Sequence, residues 1–218
     1  MYVASCRWSP PGSARHRVLR AALGFGTATT MLCCVDMTNA NADPLPLPSL
    51  CTYSTPQSDS GPEIDAIKQL KTNYFANVDA KNWDTLRNLL APNVTVDTLC
   101  SAGPVFTDRD SFISFLKLTL GGAKTHHQGS EPSIHLTSPT TAEGLWTLQD
   151  VLIFSDTVGV HGYGHYNDKY QKVNGQWVET YSKLTRTRID LIKPDGTVIQ
   201  ANAPLDQVAT LVKSALGQ

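Results

Sequence analysis

Strand-like alternation fills the second half of the chain and constrains the fold more than any other feature of the sequence. Apolar and polar residues alternate, as they do in half-buried strands, over residues 133–138, 142–154, 161–173 and 176–190. Between the last two segments, Asn174-Gly175 is a strong signal for a tight hairpin. Strands that follow one another so closely predict a long antiparallel meander.

Helical periodicity comes before these strands. A helix is predicted over residues 63–79, followed by a short helix over 83–90, a strand over 94–99, and a third helix that Asp108 or Asp110 caps and Gly121-Gly122 ends. A final amphipathic helix is predicted over 203–216. Helices followed by a meander indicate an α+β fold, and a strongly curved sheet around helices leaves a cone-shaped cavity suited to a small molecule.

The first 42 residues have the pattern of an export signal. Three arginines (Arg15, Arg17 and Arg20) precede an uncharged, mostly apolar run over 21–35, and Ala40-Asn41-Ala42 fits a signal-peptidase site. We interpret residues 1–42 as a cleaved signal peptide of a secreted or cell-envelope protein, with an uncleaved anchor as the alternative. Residues 43–62 are rich in Pro, Ser and Thr and are expected to form a linker or an arm draped over the surface.

The net charge bears on which binding partners are expected, and the cysteines bear on whether a disulfide forms. Residues 43–218 carry 18 acidic and 14 basic side chains, a net charge of −4. This balance gives no support for binding nucleic acid or an anionic membrane. Cys51 and Cys100 are the two cysteines of this part, and in an oxidising compartment they predict one disulfide, with two unpaired thiols as the alternative.

Two carboxylates lie where apolar residues are expected. Asp79 ends the stripe of the first helix, which also carries the phenol of Tyr74. Asp150 lies among Trp146, Leu148, Leu152 and Phe154, the residues that share one face of a strand. An ionised carboxylate on a buried face needs a partner. Asp150 is therefore either a functional acid or the partner of Arg186 or Arg188 on a neighbouring strand, and the sequence leaves both interpretations open.

Histidines supply the remaining chemistry. His126-His127 is expected in a loop between the third helix and the next strand, and a histidine beside a carboxylate is the usual general base near neutral pH. His161 and His165 lack the further ligands of a metal site. Since the chain also lacks the common nucleotide and phosphate motifs, we predict neither a metal nor a cofactor.

Three segments resemble the SnoaL-like branch of the nuclear-transport-factor-2-like superfamily, which includes scytalone dehydratase, ketosteroid isomerase and bile-acid 7α-dehydratase. They are V-D-A-K-N-W-D-T-L-R-N-L-L-A-P-N-V-T-V-D (78–97), T-H-H-Q-G (125–129) and the run from H-G-Y-G-H-Y to N-G-Q-W (161–177). The resemblance implies a cone of bent antiparallel sheet with three helices over residues 63–192, followed by a C-terminal turn and helix over 193–218. It also implies a homodimer or homotrimer.

The resemblance assigns roles to individual residues. His127 would be the general base or acid, Asp79 would orient it, Tyr74 would polarise a substrate oxygen, and Asp150 would be a supporting acid. The candidate substrate-binding residues are Trp146, Tyr163, Tyr166, Arg186 and Arg188. Thr98 occupies the strand position where scytalone dehydratase has a tyrosine and ketosteroid isomerase an aspartate, so it departs from both patterns. Its presence argues against isomerisation by the aspartate route, and the His-Asp dyad matches the dehydratases better.

The implied activity is cofactor-independent dehydration or isomerisation of a hydrophobic small molecule, with polycyclic or steroid-like compounds among the expected substrates. Two other functions remain open. One is a non-catalytic domain that binds a lipid-like ligand in the same cone, and the other is a purely structural oligomerising domain. Many relatives lack demonstrated catalysis, and a shared fold does not establish a shared activity.

Overall fold

The structure, a computed structural model, describes residues 51–217. The predicted signal peptide, residues 1–42, and the first part of the predicted leader lie outside the described residues. The described part contains the helices α1 (Pro62–Asp79), α2 (Trp83–Asn88), α3 (Arg109–Leu120) and α4 (Leu205–Ala215). None of them is long and apolar enough to cross a membrane.

The helices form where the sequence supplies their signals. Pro62 lies in the first turn of α1, where its missing N–H costs nothing, and the buried residues of α1 recur every three or four positions. The carboxylate of Asp108, rather than that of Asp110, caps α3 by accepting a 2.8 Å hydrogen bond from the backbone N–H of Ser111. Gly121 then ends this helix, as predicted.

Seven strands of the described chain form one curved, unclosed sheet. They are β1 (Leu90–Asp97), β2 (Val105–Phe106), β3 (Lys124–Ser138), β4 (Thr141–Ile153), β5 (Gly159–Val173), β6 (Gln176–Ile192) and β7 (Val198–Gln200). The order is β2-β1-β6-β5-β4-β3, and β7 pairs with β6 at one end. The predicted hairpin joins β5 to β6, with Asn174 at φ 52° and Gly175 at φ 81°, the left-handed conformations that its turn requires.

One pair of strands departs from the predicted antiparallel sheet. The meander from β3 to β6 is antiparallel throughout, but β1 runs parallel to β6, so the sheet is mixed. The cause is that β1 follows α1 and α2 and joins the far edge of the meander, where its direction is set by the helices and not by a hairpin. The α+β class and the curved sheet around helices are as predicted.

The concave face of the sheet holds the core. Helix α1 packs against β3 and β6, and its inner stripe joins residues of α3, β4 and β5 in one buried cluster. Helix α4 lies beyond the last strand, where the Ala203 N–H donates to the carbonyl of Ile189 and Val208 joins the core. These helices and the sheet surround a cavity that several of the predicted site residues line.

Residues 51–61 form an arm without regular secondary structure that lies against the sheet. The hydroxyl of Ser133 donates to the carbonyl of Pro56 at 2.6 Å, and the Leu136 N–H donates to the Asp59 carboxylate at 2.8 Å. At its other end, a disulfide joins Cys51 to Cys100, with their α-carbons 5.6 Å apart. Cys100 belongs to the short 3₁₀ helix Leu99–Ser101, so the bond ties the arm to the turn after β1.

Candidate active site

The last residue of α1 meets β3 at the centre of the site. Nδ1 of His127 lies 2.6 Å from Oδ1 of Asp79, and the His127 backbone N–H donates to Oδ2 at 2.8 Å. The Thr125 hydroxyl donates a further hydrogen bond to Oδ1 at 2.8 Å. Burial alone would raise the pKa of Asp79, but the hydrogen bonds from His127 and Thr125 outweigh it and hold that pKa below its usual value. Because Asp79 is the acceptor, Nδ1 carries the proton and Nε2 is the basic nitrogen.

The prediction that His126 and His127 lie in a loop is wrong. Strand β3 begins at Lys124, and the two histidines alternate, so His127 points inward with 7% of its side chain exposed while His126 is 78% exposed. The segment T-H-H-Q has too few apolar residues to be identified as a strand by itself. It is held in the sheet by β4, whose long apolar alternation gives it a partner.

Asp150 lies directly opposite His127 on β4. Arg186 on β6 binds its two oxygens in a bidentate pair, with Nη1 to Oδ1 at 2.9 Å and Nη2 to Oδ2 at 2.5 Å. This is the ion pair between Asp150 and Arg186 that the sequence left open, and it reaches across β5, which lies between β4 and β6. Oδ2 also lies 4.0 Å from Nε2 of His127, so the pair borders the basic nitrogen.

A glycine makes room for this ion pair. Gly162 on β5 lies opposite Asp150, and a β-carbon at this position would collide with Asp150 Oδ1 and Arg186 Nη1. Arg186 is further held by a 3.3 Å hydrogen bond from its Nε to the hydroxyl of Ser101. Burial would lower the pKa of Arg186, but Asp150 outweighs it and raises that pKa, so the guanidinium stays charged.

A β-bulge decides which arginine enters the site. Gly164 pairs with Arg186 and Tyr163 with Arg188, so Thr187 is an extra residue in β6 and the alternation shifts by one. Arg188 therefore points to the outer face, where it pairs with Asp190 at 2.8 Å. Arg188 therefore does not line the cavity, where a substrate-binding residue was expected.

Two aromatic residues predicted to bind substrate also lie elsewhere. Tyr163 is on the outer face of β5, with its hydroxyl 3.2 Å from Nδ1 of His161. Trp146 faces inward but lies deeper in the core, where its indole N–H donates to the Tyr170 hydroxyl at 3.0 Å. Neither residue lines the cavity, whereas Tyr166, the cross-strand neighbour of Trp146, does.

The cavity has a volume of about 400 Å³ and brings the remaining site residues together. Tyr74, His127, Asp150, Tyr166 and Arg186 all line it. The rest of its wall is largely apolar and includes Val78, Phe112, Phe115, Leu152, Leu184 and Val208. A few polar groups that converge in an apolar cavity are characteristic of sites for small molecules.

Thr98 also lines the cavity, at the position where the family resemblance placed a tyrosine or an aspartate. Its hydroxyl donates to the carbonyl of Pro104 at 2.6 Å and thereby closes the turn that follows β1. Thr98 therefore stabilises the backbone of the cavity wall. At this position the chain has neither the phenol nor the carboxylate that the family resemblance led us to expect.

A buried charge cluster next to the cavity was not predicted. Lys71 of α1 is completely buried, with its Nζ 2.8 Å from Asp168 and 3.3 Å from Glu179. Burial would lower the pKa of Lys71, but the two carboxylates outweigh this and raise it. The sequence held one signal, since Lys71 lies seven residues after Ile64 on the apolar stripe of α1, but its partners are about a hundred residues away in the chain.

Within residues 51–217, no group of three or more His, Cys, Asp or Glu side chains is arranged to hold a metal ion. His161 and His165 lie on the outer face of β5. His161 is next to Tyr163, and the ring of His165 packs on that of Tyr53 with centroids 3.9 Å apart. The chemistry available in the cavity is that of an imidazole, carboxylates, a guanidinium and phenols.

Most residues of this site lie within a segment whose sequence pattern is known, and Arg186 follows shortly after the end of that segment. Residues 62–181 match the family described as the SnoaL-like domain, and they include Tyr74, Asp79, His127 and Asp150. The match spans more than half of the chain. The protein belongs to the SnoaL-like domain family.

Solved structures show that this SnoaL-like protein has the nuclear-transport-factor-2-like fold. A Novosphingobium aromaticivorans protein provisionally assigned as a scytalone dehydratase is 23% identical, with a TM-score of 0.55 over 65% of this chain and 92% of that one. A protein from the same organism provisionally assigned as an aromatic ring hydroxylase is 14% identical, with a TM-score of 0.56 over 61% and 96%. The hexachlorocyclohexane dehydrochlorinase LinA-type3 of Novosphingobium barchaimii is 12% identical, with a TM-score of 0.53 over 60% and 90%.

Proposed function

We propose that the protein is a cofactor-independent lyase or isomerase that dehydrates or isomerises a hydrophobic small molecule. One observation carries the proposal: Asp79 binds Nδ1 of His127 at 2.6 Å, on the wall of an apolar cavity that Tyr74 also lines. An imidazole held in one tautomer by a carboxylate is a competent general base, and a phenol can polarise a carbonyl oxygen. The dehydratase and dehydrochlorinase among the structural neighbours fit this chemistry, although their similarity establishes only the fold.

Proton abstraction by His127 is the first step of the proposed reaction. Nε2 removes a proton from the carbon next to a substrate carbonyl, and the electron pair of that C–H bond moves onto the carbonyl oxygen to give an enolate. Asp79 stabilises the resulting imidazolium through Nδ1, and Tyr74 donates a hydrogen bond to the oxygen.

Loss of water completes the dehydration. The enolate electron pair re-forms the carbonyl as the bond to a hydroxyl on the next carbon breaks, and the imidazolium returns its proton to the departing oxygen. The products are an unsaturated carbonyl compound and water, so no oxidant, reductant or cofactor is required. In an isomerisation the same proton would instead return to another carbon.

The family resemblance implied that Asp150 is a supporting acid, but its contacts favour a different role. Both of its oxygens accept hydrogen bonds from Arg186, and Oδ2 lies 4.0 Å from Nε2 of His127. We therefore propose that the Asp150–Arg186 pair positions the imidazole. The guanidinium has N–H groups beyond those that Asp150 and Ser101 accept, and these are available to a substrate oxygen.

Substrate preference follows from the cavity wall. About 400 Å³ lined mainly by Leu, Val and Phe side chains suits an apolar compound with a few oxygen atoms, such as a polycyclic or steroid-like hydroxy ketone. The same wall also suits a non-catalytic domain that binds a lipid-like ligand. Turnover separates the two functions, because a binding domain would retain such compounds unchanged.

The test is a screen of polycyclic β-hydroxy ketones, with mass spectrometry to detect the loss of one water. We expect His127→Ala to abolish turnover, while Gln128→Ala, a change at an exposed side chain on the same strand, retains it. Because His127 is buried and packs parallel to the ring of Phe75, unfolding is measured for both variants. Compounds that bind but are not converted by the wild-type protein would favour the binding domain.

We also propose that the protein acts outside the cytoplasm. The Cys51–Cys100 disulfide supports this location, since such bonds persist mainly in oxidising compartments. N-terminal sequencing of exported protein should find a start near Asp43. Recovery of a soluble cytoplasmic form that retains residues 15–35 would contradict the proposal.

A further inference from the structure

Two phenols on the cavity wall have hydroxyl groups that no residue of the described range 51–217 binds. Tyr74 of α1 and Tyr166 of β5 both line the cavity, and they are 5% and 7% exposed. Neither hydroxyl has a hydrogen-bond partner within residues 51–217, and neither oxygen is among the fully buried, unpartnered side-chain atoms of that range. Tyr170, four residues further along β5, shows the usual arrangement, since its hydroxyl donates to Asp168 at 2.8 Å and accepts from Trp146 at 3.0 Å.

One buried cation contacts both rings. Nζ of Lys71 lies 4.6 Å from the ring centroid of Tyr74 and 4.1 Å from that of Tyr166. Lys71 itself does not line the cavity, and its charge is neutralised from behind by Asp168 and Glu179. The ammonium therefore supports both rings by cation–π contacts without lining the cavity itself.

Both phenols keep their protons at neutral pH. Burial raises the pKa of Tyr74 well above its usual value, and nearby Tyr166, Glu179 and Asp168 raise it further. Burial also raises the pKa of Tyr166, although Lys71 opposes this effect. Each hydroxyl is therefore a neutral donor whose acceptor must come from the cavity, and an oxygen that gains negative charge is the strongest acceptor available.

We propose that Tyr166 is a second catalytic hydrogen-bond donor, which together with Tyr74 holds the oxyanion of an enolate-like intermediate. This inference rests on the proposed function, in which His127 takes the C–H proton and the electron pair moves onto the substrate oxygen. The two phenols donate hydrogen bonds to that oxygen and transfer no proton themselves. Two donors aimed at one developing charge stabilise the transition state more than either does alone.

An oxyanion-binding pair can be measured without a substrate. The probe is 4-nitrophenol, a planar, largely apolar compound whose phenol and phenolate forms have different absorption spectra. The spectrum of the bound probe is recorded across the neutral pH range to give its ionisation constant on the protein. Because His127, Asp150 and Arg186 also face the cavity, each variant is compared with the wild-type protein and not with water.

Tyr166→Phe removes one oxygen and no protein hydrogen bond, so the fold should be unaffected. We expect it to lower the ionisation constant of the bound probe roughly tenfold, the effect of losing one hydrogen bond to an anion. Tyr74→Phe should act in the same direction. The matched control is Tyr181→Phe on the outer face of β6, away from this cavity, and it should leave the constant unchanged.

If Tyr166→Phe leaves the ionisation constant of the bound probe at the wild-type value, the inference is wrong. Failure of the wild-type protein to bind the probe would also overturn it. The outcome is independent of turnover. If Tyr166→Phe has the expected effect but no hydroxy ketone is dehydrated, the oxyanion pair stands and the proposed reaction fails. If dehydration is found and Tyr166→Phe affects neither the probe nor kcat, the reaction stands and Tyr166 is only part of the wall.

Discussion

Asp79 contacts His127 through both the imidazole and the backbone N–H, so one carboxylate at the end of α1 fixes the ring and the strand that carries it. This double contact explains why the site does not depend on a loop. Strand β3 cannot move relative to α1 without breaking hydrogen bonds to the same side chain, and the tautomer of His127 is set by the same geometry.

The first prediction concerns the charge of Asp79. Asp79→Asn keeps the size of the side chain but loses the anion that stabilises the imidazolium, so kcat should fall roughly 10²- to 10⁴-fold with a smaller change in KM. Steady-state kinetics on a compound found in the dehydration screen would measure both. Asp65→Asn, an exposed change on the same helix, is the control. A normal kcat in Asp79→Asn would exclude the proposed dyad.

A second prediction follows from the space beside the Asp150–Arg186 pair. Gly162→Ala would place a methyl group against Asp150 Oδ1 and Arg186 Nη1, so the pair must change its position relative to His127. We expect a loss of about 1–3 kcal/mol in the free energy of unfolding and at least a tenfold loss in kcat.

Gly122→Ala is the matched control for this change, because a β-carbon there meets no atom within 4 Å. Chemical denaturation and kinetics of the two variants provide the comparison. If Gly162→Ala behaves like Gly122→Ala, the ion pair tolerates displacement and has no positioning role.

The sequence predicted the positions of helices and turns better than it predicted which face of the sheet a strand residue points to. The hairpin at Asn174-Gly175 and the stripe of α1 are local signals, and both were predicted correctly. His127 was misplaced because the partner that makes its segment a strand, β4, lies more than twenty residues further along the chain. Arg186 and Arg188 were indistinguishable, since simple alternation puts them on one face and only the bulge at Thr187 separates them.

The buried cluster shows a second limit of sequence reasoning. Lys71 lies on the inner stripe of α1, where a charged residue is unexpected. Its partners Asp168 and Glu179 come from β5 and β6, and their approach depends on how the sheet curves around the helix. Spacing along the chain carries no information about such a contact, so neither the cluster nor the support that it gives to Tyr74 and Tyr166 was predicted.

The third prediction concerns the disulfide. Cys51 and Cys100 close a loop with a sequence separation of 49, and replacing both by serine should lower the free energy of unfolding by about 4 kcal/mol in the chain-entropy model. Denaturation of the wild-type protein with and without reductant should show the same loss, and reductant should not affect the double variant. Equal stability of all forms would mean that the disulfide contributes nothing to the stability of the folded domain.

The last prediction is a pH dependence of stability that arises from Glu179. Burial raises the pKa of this carboxyl from 4.5 to about 7, with Asp168 adding to the effect and Lys71 opposing it. A group whose pKa is higher in the folded state stabilises the fold below its unfolded pKa, and that contribution is lost as the pH rises through the folded value. The wild-type protein should therefore lose stability relative to Glu179→Gln between about pH 4.5 and 7, because glutamine stays neutral and its carbonyl can still accept from Lys71. A tenfold difference between the folded and unfolded ionisation constants of Glu179 corresponds to about 1.4 kcal/mol, which denaturation at several pH values can resolve.

The matched control for Glu179→Gln is Glu143→Gln, at an exposed ion pair with Lys169, and it should show no such trend with pH. A constant difference between Glu179→Gln and the wild-type protein would show that Glu179 has the same pKa in the folded and unfolded states.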